Sequence, residues 1–136
     1  MLLAHPGGPY FARRDDAWTL PKGEYGAGED AYDAARREFT EELGSTPPDG
    51  EPLPLGEVVL KSGKVIVAWA LQGDLDVSTV VSNTCTISWP PHSGRTLEIP
   101  EVDRAAWFDL TTAAARLAPA QHPFLDRLTL ALRQPT

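Results

Sequence analysis

The stretch Gly-Glu-Asp-Ala-Tyr-Asp-Ala-Ala-Arg-Arg-Glu-Phe-Thr-Glu-Glu-Leu-Gly, residues 28 to 44, constrains the chain more than any other. Ala31, Ala35, Phe39 and Leu43 recur every four residues, and Gly44 follows as a stop, so a helix is expected from about Asp30 to Leu43. At about 100° per residue, Glu38, Glu41 and Glu42 fall within an arc of roughly 100° beside that apolar stripe. Like charges three and four apart cost a helix a few tenths of a kcal/mol per pair, and cations relieve that repulsion. Mg²⁺ takes oxygen ligands and is commonly held by one or two carboxylates together with phosphate oxygens of a substrate. Arg37, one turn before Glu41, is placed to pair with it. Glu29 puts a fourth carboxylate near the cluster, and Gly23, Gly26 and Gly28 allow the preceding loop to aim a backbone carbonyl or amide at a ligand. Taken as glutamates alone, the run is also compatible with a solvated acidic face.

Around this helix the remaining segments read mostly as strands. Leu2 to His5 is a short strand followed by the turn Pro6-Gly7-Gly8-Pro9, and Trp18 to Leu20 is a second extended piece stopped by Pro21. Ser45 to Pro54 holds four prolines and a glycine and reads as a loop. Leu55 to Lys61 and Val65 to Leu71, separated by Ser62-Gly63-Lys64, suggest an antiparallel hairpin. Thr84 to Trp89 and Ala105 to Phe108 are strand-like, Pro90 to Pro100 reads as a surface loop, and Thr111 to Leu117 and Phe124 to Leu132 as helices. Strands interleaved with helices over 136 residues point to one α/β domain spanning 1 to 136, with a mixed sheet between helices.

Acidic residues outnumber basic ones 19 to 12, a net charge of -7 that disfavours polymeric nucleic acid and an anionic membrane surface. A small polyphosphate remains compatible if metal ions neutralise the contact. Cys85 is the sole cysteine, so no intrachain disulfide is possible and a zinc cluster is disfavoured. With no signal peptide or long apolar run, a cytoplasmic location is expected.

Gly23, Glu29, Arg37, Glu38, Phe39, Glu41, Glu42 and Gly44 together resemble the Nudix box, and a chance match somewhere in the chain has a probability on the order of 10⁻⁷. The final apolar position of the box is Ser45 here. The resemblance implies an α/β Nudix fold, with a mixed β-sheet sandwiched between helices, and metal-dependent hydrolysis of a diphosphate linkage in a nucleoside diphosphate derivative. It implies that Glu38, Glu41 and Glu42 bind Mg²⁺ or Mn²⁺, that the Gly23 carbonyl joins them, and that Arg37 orients a carboxylate. Leu20-Pro21-Lys22-Gly23 is similar to the start of the box in diadenosine polyphosphate hydrolases, which places Lys22 near phosphates. Leu3 to Pro9, Trp89 to Arg95 and Pro100 to Phe108 resemble a bacterial group of Nudix proteins described only as NTP pyrophosphohydrolases. Members of the family usually have a complete strand before the segment matching Leu2 to His5. The expectation is therefore a missing N-terminal strand, or a sheet edge covered by another strand or by a second copy in a homodimer.

The substrate class favoured is a nucleoside triphosphate or a dinucleoside polyphosphate. Lys22 and Arg95 are candidate phosphate contacts, and Glu98 and Glu101 are candidate distant acidic ligands or bases. Glu38 is the first choice of general base and Glu41 the second. Tyr10, Phe11, Trp18 and Trp89 are aromatic enough to stack on a base, though packing is the commoner role, and His5, His92 and His122 read as structural or solvated. The rival reading is a Nudix fold that senses a nucleotide without cutting it; an intact set of Glu29, Arg37, Glu38, Glu41 and Glu42 argues against that rival.

Overall fold

The structure is a computed structural model that describes residues 1–21 and 28–133. In chain order its elements are β1 (Leu2–Pro6), α1 (Ala31–Leu43), β2 (Leu53–Val59), β3 (Val65–Ala70), β4 (Thr84–Ser88), β5 (Thr96–Pro100), β6 (Val102–Trp107), α2 (Leu110–Arg116) and α3 (His122–Arg133). Single 3-10 turns lie at Val77–Thr79 and Pro119–Gln121.

Consecutive side chains of a strand point to opposite faces, and in β1 this sets the layers. Leu3 packs with Trp18, Ala113, Leu117 and Leu125, which brings α2 and α3 to one face. Its neighbour Ala4 packs with Leu43, Val102, Ala105 and Phe39, which brings α1 to the other. Burying a side chain such as Leu3 fully contributes about 1.5 to 3 kcal/mol. β1 pairs antiparallel with β6, where His5 faces Arg104 but Pro6 faces Val102, so Asp103 is an extra residue in β6. A one-residue bulge reverses the facing of what precedes it, and this puts Val102 on the same face as Ala105. The buried His5 occupies this bulge, its Nδ1 lying 3.0 Å from Asp103 Oδ1 and its Nε2 donating to Arg14 O at 2.7 Å. His5 is thus a structural residue.

Trp18 to Leu20 is extended, as the sequence suggests, and links β1 to the end of α2. Ala4 and Thr19 exchange both backbone bonds, at 2.8 and 2.9 Å, in an antiparallel bridge that covers the second edge of β1 there. On its other side Trp18 N–H donates to Arg116 O at 3.2 Å and Trp18 O accepts from Ala118 N–H at 2.8 Å, a parallel bridge. The mixed character of the strand pairing enters here, because the three longer ladders, β1 with β6, β2 with β3 and β4 with β5, are all antiparallel. The next parallel rung would send Leu20 N–H to Ala118 O, but the 3-10 turn gives that carbonyl to Gln121 N–H at 2.9 Å. Gln121 replaces the missing rung itself: its side-chain Oε1 accepts from Leu20 N–H at 2.9 Å, and the residue is only 3% exposed. Gln121→Leu should therefore leave a buried amide without a partner and destabilise the chain by about 1 to 3 kcal/mol. Urea unfolding checks this, and an unchanged midpoint would show that the rung contributes nothing.

Pro90 to Pro100 is not wholly a loop. Thr96 to Pro100 forms β5, paired from Ser88↔Thr96 through Thr84↔Pro100, and only the connection before it is a turn. The polar-apolar alternation Thr96-Leu97-Glu98-Ile99 accounts for that strand, and the prolines and glycine around it mask the pattern in the sequence. β2 likewise starts earlier than expected, at Leu53, because Pro54 is tolerated at a strand position with no ladder bond to donate. β2 carries an extra residue between Pro54 and Glu57, and Arg127 of α3 donates to the carbonyls of Leu55 and Glu57 on either side of Gly56, at 2.9 and 3.0 Å. Phe124 packs beside it against Leu55 and Ala68. Among the described residues no helix is long and apolar enough to cross a membrane.

Candidate functional site

Asp30 caps α1 by accepting from Asp33 N–H at 3.1 Å, a contact worth about 1 kcal/mol. The helix stops at Gly44, whose φ of 77° is disfavoured for a residue with a Cβ and whose absent Cβ would lie 2.7 Å from Val81 O. That close approach lets the 81–83 segment take the carbonyls a helix end leaves over: Val81 N–H donates to Leu43 O at 3.2 Å and Asn83 N–H to Glu41 O at 2.8 Å. Asn83 O in turn accepts from Glu101 N–H at 2.9 Å. A residue from the β5–β6 junction is thereby fixed beside the acidic face of α1.

Ala34, Glu38 and Glu42 stand one above another at i, i+4 and i+8, so two of the glutamates lie on the inward side of the helix. Glu42 is 8% exposed and the Glu38 side chain 13%. One carboxylate oxygen each from Glu38, Glu42 and Glu101 lies within 4.8 Å of the other two. With an effective dielectric of about 20, two ionised carboxylates at such a distance repel by roughly 3 kcal/mol, a repulsion that a cation between them would relieve. Burial raises the Glu38 carboxyl above its ordinary value, the charge of Glu41 adds to this, Arg37 works against it, and Glu101 adds a smaller push. Without a cation Glu38 therefore favours the folded state most when protonated, below the ordinary glutamate range, and that contribution fades as pH rises through its raised value.

Glu41 occupies a different place from Glu38 and Glu42. Its side chain is 40% exposed and meets Arg37 Nη1 at 3.2 Å. The Arg37 guanidinium also forks onto Glu29, with Nε and Nη2 each 3.0 Å from a carboxylate oxygen, and reaches Glu38 Oε1 at 2.9 Å. The hydrogen bonds that Arg37 donates to Glu29 above all, then to Glu41, raise it above its already high ordinary value, so it stays charged. Arg37 thus joins three carboxylates that helix propensity alone would hold apart, and a bidentate fork of this kind fixes orientation as well as charge.

Glu98 and Arg95 are not brought to this cluster. Glu98 is exposed in the middle of β5, opposite Thr86. Arg95 is exposed at the tip of the β4–β5 hairpin, about 20 Å of extended chain from Glu101. Lys22 and Gly23 lie outside the described residues. Of the aromatic candidates, Trp18 is a core residue, 5% exposed, whereas Tyr10 is exposed and edge-on to Phe11. Ser82 and Asn83, which carry Glu101, follow no motif and were not legible from sequence. An open cleft of about 650 Å³ lies elsewhere, beside α2, where Asp15 and Asp16 pair with Arg116 and Arg14.

The donor set of Glu38, Glu42 and Glu101 consists of carboxylate oxygens alone, partly withdrawn from water, and suits a hard divalent ion such as Mg²⁺ or Mn²⁺. The fold resembles the solution structure of the E. coli ORF135 protein, with a TM-score of 0.64, 22% identity, and coverage of 99% of this chain and 84% of that one. No curated protein matches the chain. The family model for the NUDIX domain matches residues 2–128, nearly the whole sequence, and the chain belongs to the Nudix family.

Proposed function

We propose that the chain is a single-domain pyrophosphohydrolase that cleaves the diphosphate linkage of a nucleoside triphosphate or dinucleoside polyphosphate. The observation that carries this reading is the meeting of Glu38 and Glu42 from the box helix with Glu101 from a separate part of the chain. Glu38, Glu42 and Glu101, with Glu41 and the Gly23 carbonyl assigned by the box pattern, would hold Mg²⁺ or Mn²⁺. When bound, the ion neutralises phosphate charge, aligns substrate with water and makes that water more acidic.

Burial and neighbouring carboxylates raise the proton affinity of Glu38 in the metal-free chain, and a bound divalent ion would lower it, so the general-base role rests on the place of Glu38 beside the ion site. It would take the proton from the attacking water, with Glu41 as the alternative. Arg37 keeps Glu38 and Glu41 oriented through its bonds to both and to Glu29. Lys22, next to Gly23, would contact phosphate, and Arg95 at the hairpin tip suits only the far end of an extended substrate. Contacts of that kind, remote from the bond that breaks, bear on KM more than on kcat. Small nucleotides in the cytoplasm are the expected partners, since the net charge of -7 opposes a nucleic-acid polymer.

The test is a screen of nucleoside triphosphates, dinucleoside polyphosphates and sugar nucleotides with Mg²⁺ and with Mn²⁺, reading released phosphate or pyrophosphate. Hydrolysis should cease in EDTA and return when the ion is restored. Full turnover after thorough metal removal would refute the mechanism.

A further inference from the structure

Glu101 lies between two strands, after Pro100 ends β5 and before Val102 starts β6, where the registers of Thr84↔Pro100 and Pro6↔Val102 each run on by one residue, to Asn83 and to Gly7. Its position is set by three local bonds. Glu101 N–H donates to Asn83 O at 2.9 Å, Glu101 O accepts from Gly7 N–H at 3.0 Å, and the following Val102 N–H donates to Ser82 Oγ at 3.0 Å. The Ser82 hydroxyl in turn donates to Asn83 O at 2.8 Å, the same carbonyl that receives Glu101 N–H. Ser82 therefore sits at both ends of the contact: it accepts from the amide after Glu101 and braces the carbonyl that holds Glu101 itself.

The other partners are backbone groups, available to any residue, whereas the hydroxyl is specific to Ser82. It is half-buried, where an unpaired N–H is costly. The same strap is tied to the box helix through Asn83 N–H and Glu41 O at 2.8 Å, so one hydroxyl helps set the distance between Glu101 and Glu38 with Glu42. We infer that Ser82 is a positioning residue for the divalent-ion site, acting through Glu101. This rests on the reading that Glu101 helps to hold the ion.

The experiment is a double-mutant cycle on the full chain, with Mn²⁺ affinity measured by calorimetry or electron paramagnetic resonance for wild type, Ser82→Ala, Glu101→Gln and the double variant. Loss of a residue that orients a ligand commonly costs about 10-fold or more in metal affinity. Ser82→Ala should weaken Mn²⁺ by about 10-fold in the wild-type background and by nothing further in the Glu101→Gln background, and Ser82→Thr, which keeps the hydroxyl, should restore it. Amide exchange at Val102 should speed up in both variants that carry Ser82→Ala and not in Glu101→Gln. Equal losses in both backgrounds would make Ser82 a general stabiliser and overturn the inference, as would wild-type affinity in Ser82→Ala. If Glu101→Gln itself binds Mn²⁺ normally, the assignment of Glu101 as a ligand fails, and the inference with it. Should Ser82→Ala not fold, Ser82→Cys, whose thiol is a weak acceptor, enters the same cycle with the same expectations.

Discussion

Glu42→Gln is expected to lower turnover by about 10²-fold or more while raising the thermal stability of the metal-free chain. The two effects have one cause. Glu42 is 8% exposed and its carboxylate lies within 4.8 Å of those of Glu38 and Glu101, so the charge that would hold a divalent ion is also a like charge in a confined cluster. An amide keeps the shape of the side chain, removes that repulsion and supplies a poorer ligand. Glu41→Gln should be milder in both respects, because the Glu41 side chain is 40% exposed and lies outside the cluster of Glu38, Glu42 and Glu101. The checks are kcat at limiting Mg²⁺ and a melting curve in EDTA. Near-wild-type turnover in Glu42→Gln would remove it from the ligand set, and a lower melting temperature would show that its role is packing.

The split between Glu41 and Glu42 marks where the sequence stops being informative. Helical spacing puts Glu38, Glu41 and Glu42 in one arc, and the observed α1 agrees, from its Asp30 cap to the Gly44 stop. What the spacing does not contain is the partner on each side. Arg37 pairs with the exposed Glu41, while Glu42 shares the inward face of the buried Ala34 and is itself 8% exposed. Glu98 and Glu101 were equivalent candidates for the same reason: with the segment before Pro100 read as loop, no register separated them. Once Thr96–Pro100 is seen to pair with Thr84–Ser88, Glu98 falls opposite Thr86, and Glu101 falls at the junction that Asn83 holds against α1. Local patterns thus expressed the box helix, the β2–β3 hairpin and the layer order. The contacts that assemble the site across the chain, through Ser82 and Asn83, depend on backbone groups and short polar side chains that leave no periodic trace, and the same is true of the bond from Leu20 to Gln121.

The same junction makes Gly7→Ala the most disruptive small substitution expected outside the box. Gly7 follows β1 where the chain passes Pro100, and a Cβ there would collide with Pro100 O and lie 3.0 Å from Pro100 C. Both are backbone atoms at the end of β5, so no side-chain rotation relieves the clash and the β5–β6 junction has to move. Overpacking of this kind costs up to about 3 kcal/mol, the upper part of its usual range. The movement is not confined to stability, because Gly7 N–H donates to Glu101 O at 3.0 Å and a displaced junction carries Glu101 away from Glu38 and Glu42. Gly7→Ala should therefore lower the urea midpoint and also weaken Mn²⁺ binding under conditions where the chain is still folded. Measuring both on one sample separates the two consequences. Loss of stability with wild-type Mn²⁺ affinity would mean that Glu101 keeps its place without the Gly7 bond, and that the Ser82-Asn83 strap alone suffices to hold it.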